Sequence, residues 1–260
     1  MANKDTIQKT VTVTLLLCLV CSIVVSAAAV LLKPLQIANQ ALDAKRNVLA
    51  VAGLMEPGQS VEDIFAARVT TRVVDLDTGE FTDAVDPAAY DQRRAAKDSQ
   101  LSRRLSKDDD LARIARRERY SVVYLVEEEG RLQTLILPVR GFGLWSTLHG
   151  FLALQADGRT VRGLGFYEHR ETPGLGGEVD NPQWRAQWAG KQAFDPEGEI
   201  AIQLLKGRVD PQAPRARYQV DGLSGATLTT RGVQNLLHFW LGELGYGPFL
   251  DRLHKGEASS

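Results

Sequence analysis

The chain has 260 residues, 44% of them apolar and 24% charged, enough apolar material to bury a sizeable core and too much for a disordered or fibrous chain. Lys plus Arg and Asp plus Glu nearly cancel, leaving a formal net charge of -1. That balance, with no basic stripe interleaved with aromatics, excludes nucleic acid as a partner on electrostatic grounds.

The N-terminal tail, 1–10, carries Lys4 and Lys9. From Val11 to Leu32 no charge interrupts the chain, and about 22 residues would rise roughly 33 Å as a helix, the thickness of a bilayer core. The reading is a retained transmembrane helix over 11–32. A cleaved signal peptide is the competing reading, since Ser26, Ala27 and Ala28 are small enough for a cleavage site. Cys18 and Cys21 read as small residues on that helix rather than a redox pair. Leu17 and Val20 precede them, which disfavours a lipoprotein signal, and no cysteine follows residue 21. Lysines flank both ends of the apolar segment, so charge does not set its orientation.

Past Pro34, apolar residues at Ile37, Leu42, Val48, Leu49 and Val51 predict a helical connector over 33–57, ending near Gly53 and Pro57. The remainder, 58–260, reads as one domain. Ser60 is placed to cap a short helix to Arg68, followed by a strand over 70–74. The charged stretch from Asp86 to Arg119 predicts a solvated helical face. Two hairpins are expected, one over 120–139 turning at Gly130, the other over 150–167 turning at Asp157 and Gly158. Asn181 and Pro182 are an N-cap and N1 pair, and strands are expected at 200–205 and 218–220. Val233, Leu236, Leu237, Trp240, Leu241 and Leu244 mark a terminal helix closed by Gly245. Segregated strands and helices make this an α+β fold on a single N-terminal membrane helix.

The segment of chemical interest lies before that last helix: Asp221, Gly222, Leu223, Ser224, Gly225, Ala226 and Thr227. A helix start offers unpaired N–H groups and positive dipole charge to a phosphate, and small residues at 224–226 admit a bulky group. On physics alone a plain strand-to-helix turn capped by Thr229 or Thr230 is the better explanation of the segment. The string from Asp221 to Thr227, however, resembles the flavinylation motif D-x-x-[ST]-G-A-[ST] at every specified position. The chain as a whole is similar to the C subunit of the Na+-translocating NADH:quinone reductases. Further likeness is carried by the stretches Gly141 to Ser146, Glu168 with His169, Glu171 to Gly176, and Trp184 to Lys191.

That resemblance implies FMN joined by a phosphoester to Thr227, with Asp221, Ser224, Gly225 and Ala226 completing the attachment signal. It also implies flavin contacts at Thr172, Leu175 and Gly176, and at Trp145 and Ser146. A glycine-rich segment with Leu175 and Thr172 fits the mixed surface a flavin ring needs, although an ordinary loop, and for Trp145 an ordinary core position, explain the same residues. The partners implied are the other membrane and flavin subunits of the complex, the membrane itself, and a flavin transferase during maturation. Electrons would pass from an iron–sulfur centre to a second flavin subunit, with the domain on the periplasmic side of a bacterial inner membrane. The G subunit of the related Rnf complex, or a tethered binding or assembly module without redox chemistry, are the alternatives. His149, His169, His238 and His254 show no metal-ligand spacing, so no metal is expected, and His169 reads as a loop-ordering residue. No dinucleotide fingerprint follows a strand, so this chain is not expected to oxidise NADH directly.

Overall fold

The computed structural model describes residues 6–55 and 58–256. Lys4 in the expected tail and Pro57 at the expected helix end lie outside them. The chain divides into two compact units, Met1–Ala44 and Lys45–Ser260. Helix α1, Ile7–Val51, runs unbroken through Pro34. Its most apolar stretch is long enough to cross a membrane and is entirely exposed. The surface that a soluble core would bury is here turned outward along the whole segment.

In the second unit, α2 (Val61–Arg68) starts where Ser60 accepts a hydrogen bond from the Asp63 N–H at 3.4 Å. Strand β1 (Val69–Asp75) follows and pairs with the short β2 (Glu80–Phe81). The charged middle departs from the helical expectation. It contains only a four-residue helix, α3 (Gln92–Ala95), and a small ladder of β3 (Ser102–Arg104) and β4 (Arg116–Glu118). Arg117 and Glu118 are buried, not solvated. Arg117 is ion-paired to Asp77, and Glu118 accepts from Arg140 and from Gln92, both at 2.6 Å. Charges can enter a protein interior when each is met by a partner, and a run of charged letters does not reveal which ones will be.

Both expected hairpins form, as β5 (Tyr120–Glu128) with β6 (Arg131–Phe142) and β7 (Thr147–Gln155) with β8 (Val161–Glu168). Gly130 and Gly158 take the left-handed conformation that these turns require. The result is one antiparallel sheet of order β2-β1-β5-β6-β7-β8. Its two faces serve two cores, because successive side chains alternate. Leu135, Leu137 and Val139 of β6 enter the main core with Leu152 and Leu154 of β7, whereas Ile136, Phe151 and Ala153 face Val48, Val51 and Ala52. Beyond β8 come a 3-10 turn at Gly176–Asp180 and α4 (Pro182–Ala186), the latter capped by Asn181. The expected strands at 200–205 and 218–220 appear as a short parallel pair, β9 (Gln203–Leu204) and β10 (Gln219–Val220).

Helix α5 (Thr227–Leu241) presses Val233, Leu236, Leu237 and Trp240 into the main core. It ends at Gly242, so Leu244 falls beyond it and a further helix, α6 (Gly247–His254), closes the domain. Gly232 lets α5 approach the end of β6, since a Cβ there would stand 2.5 Å from the Phe142 carbonyl oxygen. Gly232→Ala therefore sets helix propensity, which favours Ala by about 1 kcal/mol, against overpacking, which costs about 1–3 kcal/mol. Net destabilisation in urea unfolding is expected, and a gain in stability would show that the backbones are not held this close.

His149 has its ring 6.4 Å from that of Tyr167 and pairs across the strands with Glu168, the partner of Arg93, and burial first, then the Arg93 charge, lowers its pKa to about 4. Below the ordinary value of 6.5 the unfolded chain takes up a proton that the folded one refuses, so stability falls as pH drops from about 6.5 toward 4 and is level above it. His149→Gln is expected to flatten that part of the urea-midpoint profile relative to wild type; parallel profiles would contradict it.

Candidate functional site

The segment from Asp221 to Thr227 joins β10 to α5 and is fixed at each end by hydrogen bonds. The Asp221 carbonyl accepts from Trp184 Nε1 at 2.9 Å, its N–H donates to Gln187 Oε1 at 3.1 Å, and its carboxylate accepts the Val209 N–H at 2.7 Å. Asp221 thus acts as a staple between this turn and the loop before it. The Leu223 N–H donates to Thr230 Oγ1 at 3.0 Å inside the protein. Gly225 has φ +71°, which an L side chain rarely adopts, and its missing Cβ leaves room for Leu175. Gly222 is equally constrained: a Cβ would stand 2.0 Å from the Leu205 carbonyl oxygen.

The capping role expected of Thr229 or Thr230 is not found. Ala226 occupies the N-cap position of α5, and no side chain caps the helix. The two threonines lie inside the first turn, buried, with their hydroxyls committed to Glu171 and Leu223. Thr227 is different. It is the first residue of α5 and is exposed, as is Ser224. A free hydroxyl therefore stands at a helix start whose N–H groups no side chain occupies, and where positive dipole charge favours an anion.

Glu171 ties the remaining parts to this turn. Its buried carboxylate accepts the N–H groups of Leu144 at 3.1 Å, Trp145 at 3.0 Å and Ser146 at 3.3 Å, and the Thr229 hydroxyl at 2.7 Å. Gly143 and Gly176 exist for this carboxylate, since a Cβ on either would stand within 2.7–2.8 Å of its oxygens. The Thr172 carbonyl accepts from Leu175 and Gly177, closing the glycine-rich loop, and Ser146 Oγ accepts the Arg170 N–H at 2.8 Å. His169 hydrogen-bonds within the same loop. Its Nδ1 accepts the Glu171 N–H at 3.2 Å, which assigns the ring proton to Nε2, 2.8 Å from Asp180 Oδ2.

Three sequence-distant segments thus meet: 143–146, 171–177 and the first turn of α5. They leave large apolar side chains in the open, with Trp145 68% exposed, Leu228 55% and Leu175 43%. Trp145 is therefore not the core residue that its type alone suggests. The turn also walls a cavity of about 620 Å³, lined by Trp184, Gln187, Lys206, Arg208, Ser224 and Thr227 among others. Trp145, Ser146, Thr172, Leu175 and Gly176 do not line it. Glu171, Lys206 and Arg208 carry weight here that the sequence did not reveal, and Trp184 was marked there only as part of a stretch of likeness. Only the fixed Glu171-Thr-Pro-Gly spacing hinted at the first, and two exposed cations in a polar loop give no signal.

These residues suit a phosphate-bearing aromatic cofactor: an uncapped helix start with an exposed hydroxyl, a cavity whose wall includes Lys206 and Arg208, and exposed apolar side chains on the segments that meet at the turn. The class they define is that of FMN-binding domain proteins, and the family model described as FMN-binding domain matches residues 143–242. The C subunit of the Na(+)-translocating NADH-quinone reductase of Pseudomonas aeruginosa is 58% identical over 261 residues, covering 99% of this chain and 100% of the relative. Its counterpart in Yersinia pestis is 50% identical over 258 residues, covering 98% and 96%. The crystal structure of Shewanella oneidensis NqrC superposes with a TM-score of 0.76 at 37% identity, covering 82% of this chain and 97% of that one. The chain belongs to the C-subunit family of the Na+-translocating NADH-quinone reductases.

Glu171→Gln replaces an acceptor-only group by one that turns an NH2 toward donors, and hydrogen bonds to a charged group contribute about 1.5–3 kcal/mol each. Loss of about that much stability is expected, with faster hydrogen exchange at the amides of 144–146. Unchanged exchange there would show that the carboxylate does not hold the turn.

Proposed function

We propose that this chain carries FMN covalently, in phosphoester linkage to the hydroxyl of Thr227, as an electron-relaying subunit of a membrane-bound, Na+-pumping NADH:ubiquinone reductase. The observation that carries the reading is the exposed Thr227 hydroxyl at an uncapped helix start. It completes an attachment signal whose other hydroxyl-bearing neighbours, Thr229 and Thr230, are buried and hydrogen-bonded. When bound, FMN supplies the electron chemistry that no side chain of this domain provides.

The chain's own residues position and shield. Asp221 fixes the turn against Trp184, Gln187 and Val209, so that Ser224, Gly225, Ala226 and Thr227 are presented on a rigid support. Thr172, Leu175 and Gly176 with Trp145 and Ser146 are assigned to the face of the ring, to which they would offer a mixture of apolar surface and hydrogen-bonding groups. A tether keeps the cofactor in place through every oxidation state, independently of binding affinity. We assign residues 11–32 to the membrane span, 33–57 to a connector and 58–260 to a domain facing the periplasm of a bacterial inner membrane. There a flavin transferase would attach the cofactor. The electron donor would be an iron–sulfur centre in the neighbouring membrane subunits, and the acceptor the flavin of another subunit.

Thr227→Ala, co-expressed with a flavin transferase, is expected to lose all covalent FMN, whereas Thr229→Ala and Thr230→Ala retain it if folded. Peptide mass mapping of each variant reads the outcome. FMN found on a Thr229 or Thr230 hydroxyl of the wild type, or persisting in Thr227→Ala, would overturn the assignment.

A further inference from the structure

The loop at 205–209 runs beside the attachment turn and is laced to it residue by residue. The Leu205 N–H donates to the Val220 carbonyl at 3.0 Å, the Gly207 carbonyl accepts the Gly222 N–H at 3.0 Å, and the Val209 N–H donates to the Asp221 carboxylate at 2.7 Å. Positions 205, 207 and 209 are therefore turned to the motif through their backbones. Lys206 and Arg208, which flank Gly207 in this bent loop, both line the cavity that Ser224, Gly225 and Thr227 also wall.

Both cations are exposed, and neither has an acidic partner among the described residues. The same cavity wall carries two carboxylates, neither ion-paired to these cations: Asp221 accepts the Val209 N–H and Glu178 accepts from the Asn181 side-chain amide at 2.7 Å. Two positive charges thus line the same cavity as the hydroxyl that would bear a phosphate. A phosphodiester keeps one negative charge at every physiological pH. Arg presents two parallel donors to such a group, and Lys a compact positive charge.

We infer that Lys206 and Arg208 form a cation pair that receives the phosphodiester of FMN tethered at Thr227 and so restrains the arm carrying the flavin. The inference rests on the attachment proposed above. It assigns the cavity to the phosphate and leaves Trp145 and Leu175 to the ring. A threonine ester alone fixes only one end of a flexible chain. A second, ionic contact at the phosphate removes most of the remaining swing, which is the entropic component of presenting the ring in one place.

The test uses the full-length chain co-expressed with a flavin transferase and purified in detergent, as wild type, as the double variant Lys206→Gln with Arg208→Gln, and as the exchange Lys206→Arg with Arg208→Lys. The mass of the peptide containing Thr227 reports attachment. The 31P resonance of the diester and the time-resolved anisotropy of flavin fluorescence report the contact. In the double variant the resonance is expected to move toward that of a free diester and the flavin to depolarise faster. Added salt should produce the same changes in wild type and none in the double variant, and the exchange should behave as wild type. If the folded double variant is not flavinylated but the exchange is, the cations seat the phosphate during transfer, which supports the same assignment. Attached FMN with unchanged resonance and anisotropy overturns the cation pair while leaving Thr227 as the tether. So does a shifted reduction potential with an unchanged 31P resonance, which would put the cations at the ring. Loss of attachment in both variants likewise overturns it. Absence of FMN from the wild-type peptide defeats the attachment itself, and this inference with it.

Discussion

The carboxylate of Glu171 is withdrawn from solvent and accepts three consecutive backbone N–H groups together with the hydroxyl of Thr229. A charge in such a place is tolerated only when its lone pairs are met, and a partly met one is costly. That requirement fixes a good deal at once. The turn at 143–146 has to curl its amides inward, the loop at 171–177 has to bring the carboxylate to it, and α5 has to enter at the height where Thr229 reaches the second oxygen. Gly143 and Gly176 are the spaces left for the carboxylate. With backbone polarity consumed inside the knot, Trp145, Leu175 and Leu228 are left facing outward beside Thr227.

The sheet supplies the platform for this knot. Because its two faces bury different sets of residues, α5 is held on one side by Leu137, Val139 and Leu148 while Val48, Val51 and Ala52 cover Ile136 and Phe151 on the other. Trp240 is buried against β6 and donates its indole N–H to the Arg140 carbonyl at 2.7 Å, which sets the helix along its axis as well as across it. Rigid backing of this kind is what a cofactor site needs when small displacements of the cofactor change its chemistry. The polar side of the site is backed differently. The Trp184 indole, the Gln187 amide and the Asp221 carboxylate bind three short segments together by hydrogen bonds rather than by apolar area.

The same division explains which site residues could be read from the chain. Thr227 and the small residues before it lie next to one another, and their chemistry is local: a hydroxyl, a glycine with positive φ, a helix start. Thr172, Leu175 and Gly176 are contiguous too, but on their residue types alone they read as an ordinary loop, and only the resemblance singled them out. Glu171 was visible only as part of a pattern, because its role depends on amides 25–27 residues away. Lys206 and Arg208 were invisible, since a cation becomes part of a site only when the fold brings a cavity to it.

Alternation and helical spacing in the sequence determined the apolar N-terminal helix, the two hairpins with their glycine turns, the Asn181 cap and the terminal amphipathic helix. Each follows from forces between residues within about one turn or one hairpin of each other. The tertiary structure alone decided that Arg117 and Glu118 are buried, that Thr229 and Thr230 bond inward instead of capping, and that Trp145 stands in the open. Those outcomes depend on which partner arrives from a distant part of the chain. For a charged or hydrogen-bonding group that partner, not the residue's own type, sets whether burial is tolerable.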